Sequence, residues 1–215
     1  MRRMIGVVIF LVGIGLTWFY YDVWNDSKSS AETISTDIIE KYEVQLNEGE
    51  TETIAPAYAA DTSENNKSAD DQSIVEEVNY EIGQEVAKLI IPDLKMQYSV
   101  YWGTDSNVLM QGVGMFISDS TTTPKGMKHT VLSGHRDTVF TRLGELEIGD
   151  RIIVEYDGSL YEYRINKTWI THSDDRTVIV SKDSPTLTLT TCYPFEFIGD
   201  APDRYIIQAD LISTT

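Results

Sequence analysis

The sequence predicts a mainly β protein, a barrel or a sandwich, preceded by one transmembrane helix. Three observations lead to this prediction: an uncharged apolar run lies near the N-terminus, an acidic stretch with few apolar residues follows it, and short β-rich runs separated by turn signals fill the remainder. Residues 1–21 are interpreted as a cytoplasmic tip with a transmembrane signal anchor, residues 22–83 as a spacer outside the membrane, and residues 84–215 as the β domain.

The N-terminal apolar run covers residues 4–21 and directly follows Arg2 and Arg3. A helix of this length rises about 27 Å, close to the roughly 30 Å hydrocarbon core of a bilayer. A cleaved signal peptide is the alternative, but cleavage needs small residues after the run, and aromatic residues 18–21 stand there. Interfacial aromatics and cytoplasmic arginines favour an uncleaved, single-pass anchor with its N-terminus in the cytoplasm.

Negative charge is concentrated in the predicted spacer. The chain carries 34 acidic and 17 basic residues, a net charge of −17, and residues 22–81 contribute −13 of it. Self-repelling charge without a sustained helix or strand period predicts a mostly disordered segment that holds the domain off the membrane, with one short helix over residues 30–46 as the exception. The acidic balance also argues against a nucleic-acid partner, because phosphate backbones would repel the chain.

Strand signals recur throughout residues 84–215. Alternating runs on either side of Asp157-Gly158 predict a β-hairpin, because this dipeptide favours the tight turn that matches the twist of paired strands. Further strands are predicted at residues 87–91, 130–133, 186–191 and 204–212. Several strands at short spacing, without a long amphipathic helix between them, favour a barrel or a sandwich.

The single cysteine, Cys192, ends the run Thr-Leu-Thr-Leu-Thr-Thr-Cys. Side chains alternate between the two faces of a strand, so Cys192 shares a face with threonine hydroxyls and not with Leu187 and Leu189. A buried, inert thiol behaves as a small apolar group and would be expected on the face of the leucines. The pattern therefore favours a reactive thiol over a core thiol.

A thiolate nucleophile needs a proton-transfer partner and a group that stabilises developing negative charge. His135 follows a predicted strand and a glycine, and is the candidate for the first role, with an ordinary turn histidine as the alternative. His129 and His172 flank strands and are interpreted as surface residues. Arg204 starts the last predicted strand, one loop length after Cys192, and is the candidate for the second role, with a surface ion pair as the alternative.

Three segments, in chain order, resemble the catalytic segments of the sortases, the membrane-anchored cysteine transpeptidases of Gram-positive bacteria: VLSGHRDTVF, TLTLTTCYPF and APDRYIIQADL. The likeness runs from about residue 86 to the end and includes AKLIIP and GVGMF. The stretch TTCYPFEFIGDAPDRYI is most similar to class D members. One departure is Met115, where many members carry a histidine that is not among the three catalytic residues.

The resemblance implies an eight-stranded sortase-like β-barrel with short helices and a cleft at one rim. It implies that Cys192 attacks the threonine carbonyl of a sorting motif similar to Leu-Pro-x-Thr-Gly and forms a thioacyl-enzyme. His135 would protonate the leaving amine and deprotonate the acceptor, and Arg204 would bind the oxyanion or the substrate backbone. The implied partners are surface proteins with a C-terminal sorting signal and an amine of a cell-wall precursor, at the cell membrane.

Neither a metal nor a cofactor is expected. One cysteine cannot form an internal disulfide, and no Cys/His cluster has the spacing of a metal site. Some sortases bind calcium near the cleft, but the carboxylates of this chain do not show a recognisable ligand spacing.

Two other classes of protein fit parts of the sequence. A hydrolysing cysteine protease is one, because His135 precedes Cys192 as in caspases, although TTCYP lacks the caspase Q-A-C-x-G segment. A non-catalytic receptor barrel on a stalk is the other. An amine-dependent product distinguishes transfer from hydrolysis, and function that survives alkylation of Cys192 would indicate the receptor.

Overall fold

The structure, a computed structural model, describes residues 2–29, 31–49, 79–196, 199 and 201–215. Within these residues the α-helices are α1 (Arg2–Ser29), α2 (Thr36–Gly49) and α3 (Ser106–Gln111). The strands are β1 (Ala31–Thr33), β2 (Glu85–Ile91), β3 (Met96–Trp102), β4 (Val113–Met115), β5 (His129–Ser133), β6 (Arg151–Tyr156), β7 (Ser159–His172), β8 (Thr186–Tyr193) and β9 (Asp203–Thr214). Three short 3-10 helices lie at Pro92–Leu94, Pro124–Gly126 and Leu143–Glu145.

Eight of the strands close into a barrel. Their order is β3-β2-β6-β7-β9-β8-β5-β4, and the ring closes because β4 pairs in parallel with β3. The short strand β1 adds to β3 outside the ring, in antiparallel orientation. The closed eight-stranded barrel with short helices is therefore confirmed, and closure of the sheet removes the sandwich alternative.

The strands predicted from sequence periodicity are all present. The predicted runs at residues 87–91, 130–133, 186–191 and 204–212 lie within β2, β5, β8 and β9. The predicted hairpin joins β6 to β7, which pair directly across its turn. Asp157 and Gly158 have φ angles of +51° and +79°, as a type I′ turn requires at both central positions.

Residues 31–49, here called the strap, pack against the outer surface of the barrel. Ile34 and Leu46 are each 4% exposed and lie against Ile90, Ile153 and Leu160, whose side chains face outward from β2, β6 and β7. This apolar contact is separate from the core inside the barrel. The strap is therefore part of the folded domain.

Polar contacts complete the attachment of the strap. The Tyr42 hydroxyl donates a hydrogen bond to the Glu155 carboxylate at 3.1 Å, and Arg151 forms an ion pair with Glu43. The carboxylate and burial together raise the pKa of Tyr42 to about 12, with burial as the larger cause. The phenol therefore stays protonated and able to donate at any pH near neutrality.

The prediction of a mostly disordered segment over residues 22–83 excepted one short helix over residues 30–46, and the strap covers most of that exception. The expected short helix is present as α2, and Ile39, Tyr42 and Leu46 recur on one face of it. That face was not recognised as a docking face because its apolar partners lie more than forty residues away in sequence. Residues 50–78 lie outside the described residues, and the division of the chain at residues 21 and 83 stays a prediction.

Replacing Leu46 by alanine is expected to lower the free energy of unfolding by about 2 kcal/mol, because a buried leucine loses both its transfer free energy and its packing. Urea denaturation of the full chain in detergent, followed by tryptophan fluorescence, measures the change. Val44→Ala is the matched control, since Val44 lies on the same helix and is 47% exposed. Equal stability of the two variants would show that the strap does not stabilise the barrel.

Helix α1 contains an 18-residue window, Ile5–Asp22, that is long and apolar enough to cross a membrane, and the rest of the protein does not cover it. Its position supports the predicted anchor over residues 1–21. A signal sequence has the same length and composition, so the orientation of the chain across a membrane stays a prediction.

Candidate active site

The three residues singled out from the sequence meet at one rim of the barrel. Cys192 and Arg204 are directly opposite each other on the antiparallel strands β8 and β9. Strand β5 runs parallel to β8 with Ser133 opposite Thr190, so His135, two residues further along, comes level with Cys192. All three side chains line one cleft. Strand pairing thus brings together residues that are 12 to 69 positions apart in the sequence.

The cleft has a volume of about 460 Å³, within the range of roughly 300–1,000 Å³ that is usual for ligand pockets. Its lining comes from β8 and β9, from residues 133–135, from residues 104–116 and from residues 171–179. Leu109, Phe116 and Ile206 supply apolar surface, whereas the catalytic candidates supply a few convergent polar groups. Apolar surface with a few convergent polar groups is typical of a ligand-binding site.

The thiol of Cys192 is half-buried and faces the cleft. Leu187 and Leu189, on the opposite face of β8, are fully buried in the barrel core. The alternation inferred from the sequence therefore holds in β8, and the thiol is accessible to a ligand in the cleft.

The loop that carries His135 is tied to β8 by two hydrogen bonds. The Gly134 amide donates to the Thr190 carbonyl at 3.2 Å, and the Thr191 hydroxyl donates to the Gly134 carbonyl at 2.8 Å. A Cβ atom on Gly134 would come within 2.7 Å of the Phe140 ring, so a larger residue would displace the loop. The position of His135 relative to Cys192 therefore depends on close packing of the loop.

Replacing Thr191 by valine is expected to lower kcat/KM about tenfold. Valine fills the same volume but cannot donate, and a buried carbonyl left without a partner costs about 1–3 kcal/mol, which loosens the His135 loop. Peptide-cleavage kinetics measure the loss, and Thr191→Ser, which keeps the hydroxyl, is the control. A valine variant with the activity of the serine variant would show that this hydrogen bond does not position His135.

Arg204 is half-buried at the cleft, and its Nη1 donates to the backbone carbonyls of Ala201 at 3.2 Å and Asp203 at 2.9 Å. No carboxylate among the described residues forms an ion pair with it. The alternative of a surface ion pair is therefore not observed there. Two carbonyls orient the guanidinium, which has five N–H donors, and the remaining donors can serve a ligand.

Arg136, which is 8% exposed, contributes to the rim of the cleft although the sequence did not predict it there. It donates from Nη1 to the Pro194 carbonyl at 3.0 Å and from Nη2 to the Gly199 carbonyl at 2.7 Å. Both acceptors lie in the connection between Cys192 and Arg204. The position of Arg136 directly after His135 was the only signal, and nothing local indicates that it reaches across the rim.

The structure corrects the expectation that His129 is a surface residue, and it shows where Met115 lies. His129 is fully buried and is not a surface residue, whereas His172 is exposed at the end of β7, as expected. His129 was misjudged because the residues that cover it come from a later loop. Met115 is 1% exposed in the barrel core, and the next residue, Phe116, is the one that lines the cleft.

The lining of the cleft includes one carboxylate, that of Asp175. Hydrogen bonds from Thr171, the larger contribution, and from Thr177 lower the pKa of Asp175 to about 2. This carboxylate and the Arg204 guanidinium give the cleft one acidic and one basic group. Among the residues that the structure describes, no group of three or more His, Cys, Asp or Glu side chains could hold a metal ion.

Comparison with known proteins shows consistent similarities. Residues 89–212 match the family model described as the Sortase domain. The chain is 40% identical over 134 residues to Sortase D of Bacillus subtilis (strain 168), covering 62% of this chain and 67% of that protein. Among solved structures, the catalytic domain of B. anthracis SrtD is 58% identical with a TM-score of 0.57, covering 66% of this chain and 97% of that one. The Sortase D5 transpeptidase of Clostridium perfringens is 27% identical with a TM-score of 0.54, covering 61% and 81%.

Proposed function

Because the chain belongs to the sortase family, whose members are cysteine transpeptidases, we propose that it transfers surface proteins to a cell-wall amine by means of Cys192, His135 and Arg204. The observation that carries this proposal is the convergence of these three side chains on one cleft at the rim of the barrel. The relatives with the same class designation support assignment to class D.

In the first half-reaction, the Cys192 thiolate attacks the threonine carbonyl of a sorting motif similar to Leu-Pro-x-Thr-Gly. A new bond forms between sulfur and carbon, and the carbonyl electrons move onto oxygen. Arg204 faces Cys192 across the strand pair, so its free donors can stabilise this oxyanion or hold the substrate backbone. Collapse of the tetrahedral intermediate breaks the C–N bond, and protonated His135 supplies the proton that the leaving amine needs.

In the second half-reaction, the acceptor amine attacks the thioacyl carbon. His135, now neutral, accepts the proton that the amine loses, and the Cys192 thiolate leaves. The net change exchanges one amide for another, so no oxidant, reductant or energy source is required. The substrates would be surface proteins with a C-terminal sorting signal.

The predicted anchor supports a location at the cell membrane, with the N-terminus in the cytoplasm and the barrel outside. Sortases are typically membrane-associated, and α1 has the length and composition of a spanning helix. An enzyme held there would meet secreted proteins and cell-wall precursors on the same side of the membrane.

A transfer assay tests this proposal. The full chain in detergent is incubated with a panel of Leu-Pro-x-Thr-type peptides, with and without triglycine as the amine, and the products are identified by mass spectrometry. Cleavage after threonine with capture of triglycine is the expected result. Alkylation with iodoacetamide is the control, since Cys192 is the only cysteine of the chain.

Three other outcomes would contradict the proposal. Cleavage that never incorporates the amine would indicate a hydrolysing cysteine protease. Cleavage that survives full alkylation of Cys192 would exclude the thiol as the nucleophile. A protein that binds the peptides, with or without alkylation, and never cleaves them would indicate the receptor barrel.

A further inference from the structure

His129 is a fully buried titratable side chain that the proposed reaction does not use. It starts β5, and its ring nitrogens contact two separate parts of the chain. Nδ1 lies 2.6 Å from the Val180 carbonyl oxygen, and Nε2 lies 2.8 Å from the Thr188 hydroxyl oxygen. The imidazole therefore bridges β8 and the β7–β8 connection, which comprises residues 173–185.

The two contacts define the tautomer of a neutral ring. A carbonyl oxygen can only accept, so Nδ1 carries the proton and donates to Val180. In the neutral ring Nε2 then accepts, and the Thr188 hydroxyl donates to it. Both ring nitrogens are satisfied by a neutral imidazole.

The β7–β8 connection forms part of the cleft. Asp175, Val178 and Ile179 all line it. Among the described residues, the bond from His129 to Val180 is the hydrogen bond that joins residues 176–181 to the barrel, and Lys182, the next residue, donates to Gln208 of β9 at 3.4 Å. Its other partner, Thr188, precedes Cys192 by four residues on β8.

We propose that His129 is a positioning residue that holds the β7–β8 connection against β8 and thereby sets the shape of the peptide-binding cleft beside Cys192. The inference rests on the proposed function, because it assigns the cleft to substrate. It predicts that loss of the His129 contacts affects peptide binding more than the chemical step.

Electrostatics supports a neutral imidazole at this position. Burial is the main cause that lowers the pKa of His129 below its usual 6.5, the hydrogen bond to Val180 opposes the shift, and the charge of Lys182 adds to it. Lys182 approaches from the β7–β8 connection, Lys128 precedes His129 on its own segment, and the neighbouring positions of β8 carry uncharged threonines. Protonation would therefore place a second positive charge near Lys182 without a carboxylate among the causes that act on it.

Two substitutions of His129 separate its contacts. His129→Leu removes both hydrogen bonds, whereas His129→Asn keeps an amide donor near the position of Nδ1. We expect the leucine variant to raise KM for the peptide about tenfold with kcat within about twofold, and the asparagine variant to recover most of the loss. Thr130→Val is the matched control: Thr130 is equally buried on the same strand, and its hydroxyl contacts the Thr122 carbonyl instead of the connection.

A second measurement does not depend on activity. Arg176 is exposed in the β7–β8 connection and is a site for trypsin. In the full chain in detergent, we expect trypsin to cleave after Arg176 several-fold faster in His129→Leu than in wild type, with His129→Asn and Thr130→Val close to wild type. Thermal melting of each variant identifies any general loss of the fold.

The two measurements keep the inference separate from the proposed function. If wild type transfers no peptide, the proposed function fails, and trypsin cleavage after Arg176 still tests whether His129 holds the β7–β8 connection against β8. Trypsin cleavage after Arg176 at the wild-type rate in His129→Leu would overturn the inference. A fall in kcat and melting temperature with unchanged KM would also overturn it, because His129 would then be only a core residue.

Discussion

Replacing Cys192 by alanine is expected to abolish peptide transfer and to leave the barrel folded. The substitution removes the only thiol of the chain, and the described residues that line the cleft beside it carry hydroxyls, which are weaker nucleophiles. Loss of a nucleophile of this kind lowers kcat by about 10⁴-fold or more. Because Cys192 is half-buried and lies outside the barrel core, the melting temperature should change little.

Mass spectrometry detects both the thioacyl adduct and the transfer product. Wild type incubated with peptide alone should show a thioacyl adduct on Cys192, whereas Cys192→Ala should show neither the adduct nor the transfer product. Cys192→Ser is the matched control for size and should bind peptide with little turnover. Transfer by the alanine variant at a substantial fraction of the wild-type rate would refute the role assigned to Cys192.

Replacing Arg204 by alanine is expected to lower kcat by about 10²–10³-fold, the usual effect of removing one oxyanion donor. Arg204 faces Cys192 directly across β8 and β9, and its side chain is oriented by the backbone carbonyls of Ala201 and Asp203. Arg204→Lys keeps the charge but loses the planar fork of donors, so we expect it to recover only part of the rate.

Steady-state kinetics with the same peptide measure this effect. Arg164→Ala is a suitable control, since Arg164 is an exposed arginine on β7 that does not line the cleft. A loss confined to KM would assign Arg204 to the substrate backbone and not to the oxyanion. Unchanged kcat and KM in both Arg204 variants would remove it from the mechanism.

Residue pattern alone was sufficient to predict most strands of the barrel. Period-two alternation and the Asp157-Gly158 turn depend on neighbours in sequence, so β2, β5, β6, β7, β8 and β9 could be predicted before their partners were known. The face of Cys192 followed from the same alternation. The closed ring of eight strands did not follow from it, and the resemblance to sortases supplied that expectation.

Contacts between distant segments could not be predicted in this way. Leu46 docks on Ile90 and Ile153, and Arg136 reaches the carbonyls of Pro194 and Gly199. Each contact joins residues more than forty positions apart, and the acceptors of Arg136 are backbone atoms that every residue has. No side-chain pattern marks such a partner in advance.

The sequence by itself predicted the apolar N-terminal helix, six of the nine described strands, the face of the thiol and the three candidate reactive side chains, because each depends on local periodicity or on residue chemistry. Only the tertiary structure decided that Cys192 faces Arg204, that His135 is held level with them, and that His129 is buried beneath the β7–β8 connection. Strand register and burial are properties of the closed sheet, since they depend on which distant backbone groups pair and on which later loop covers them.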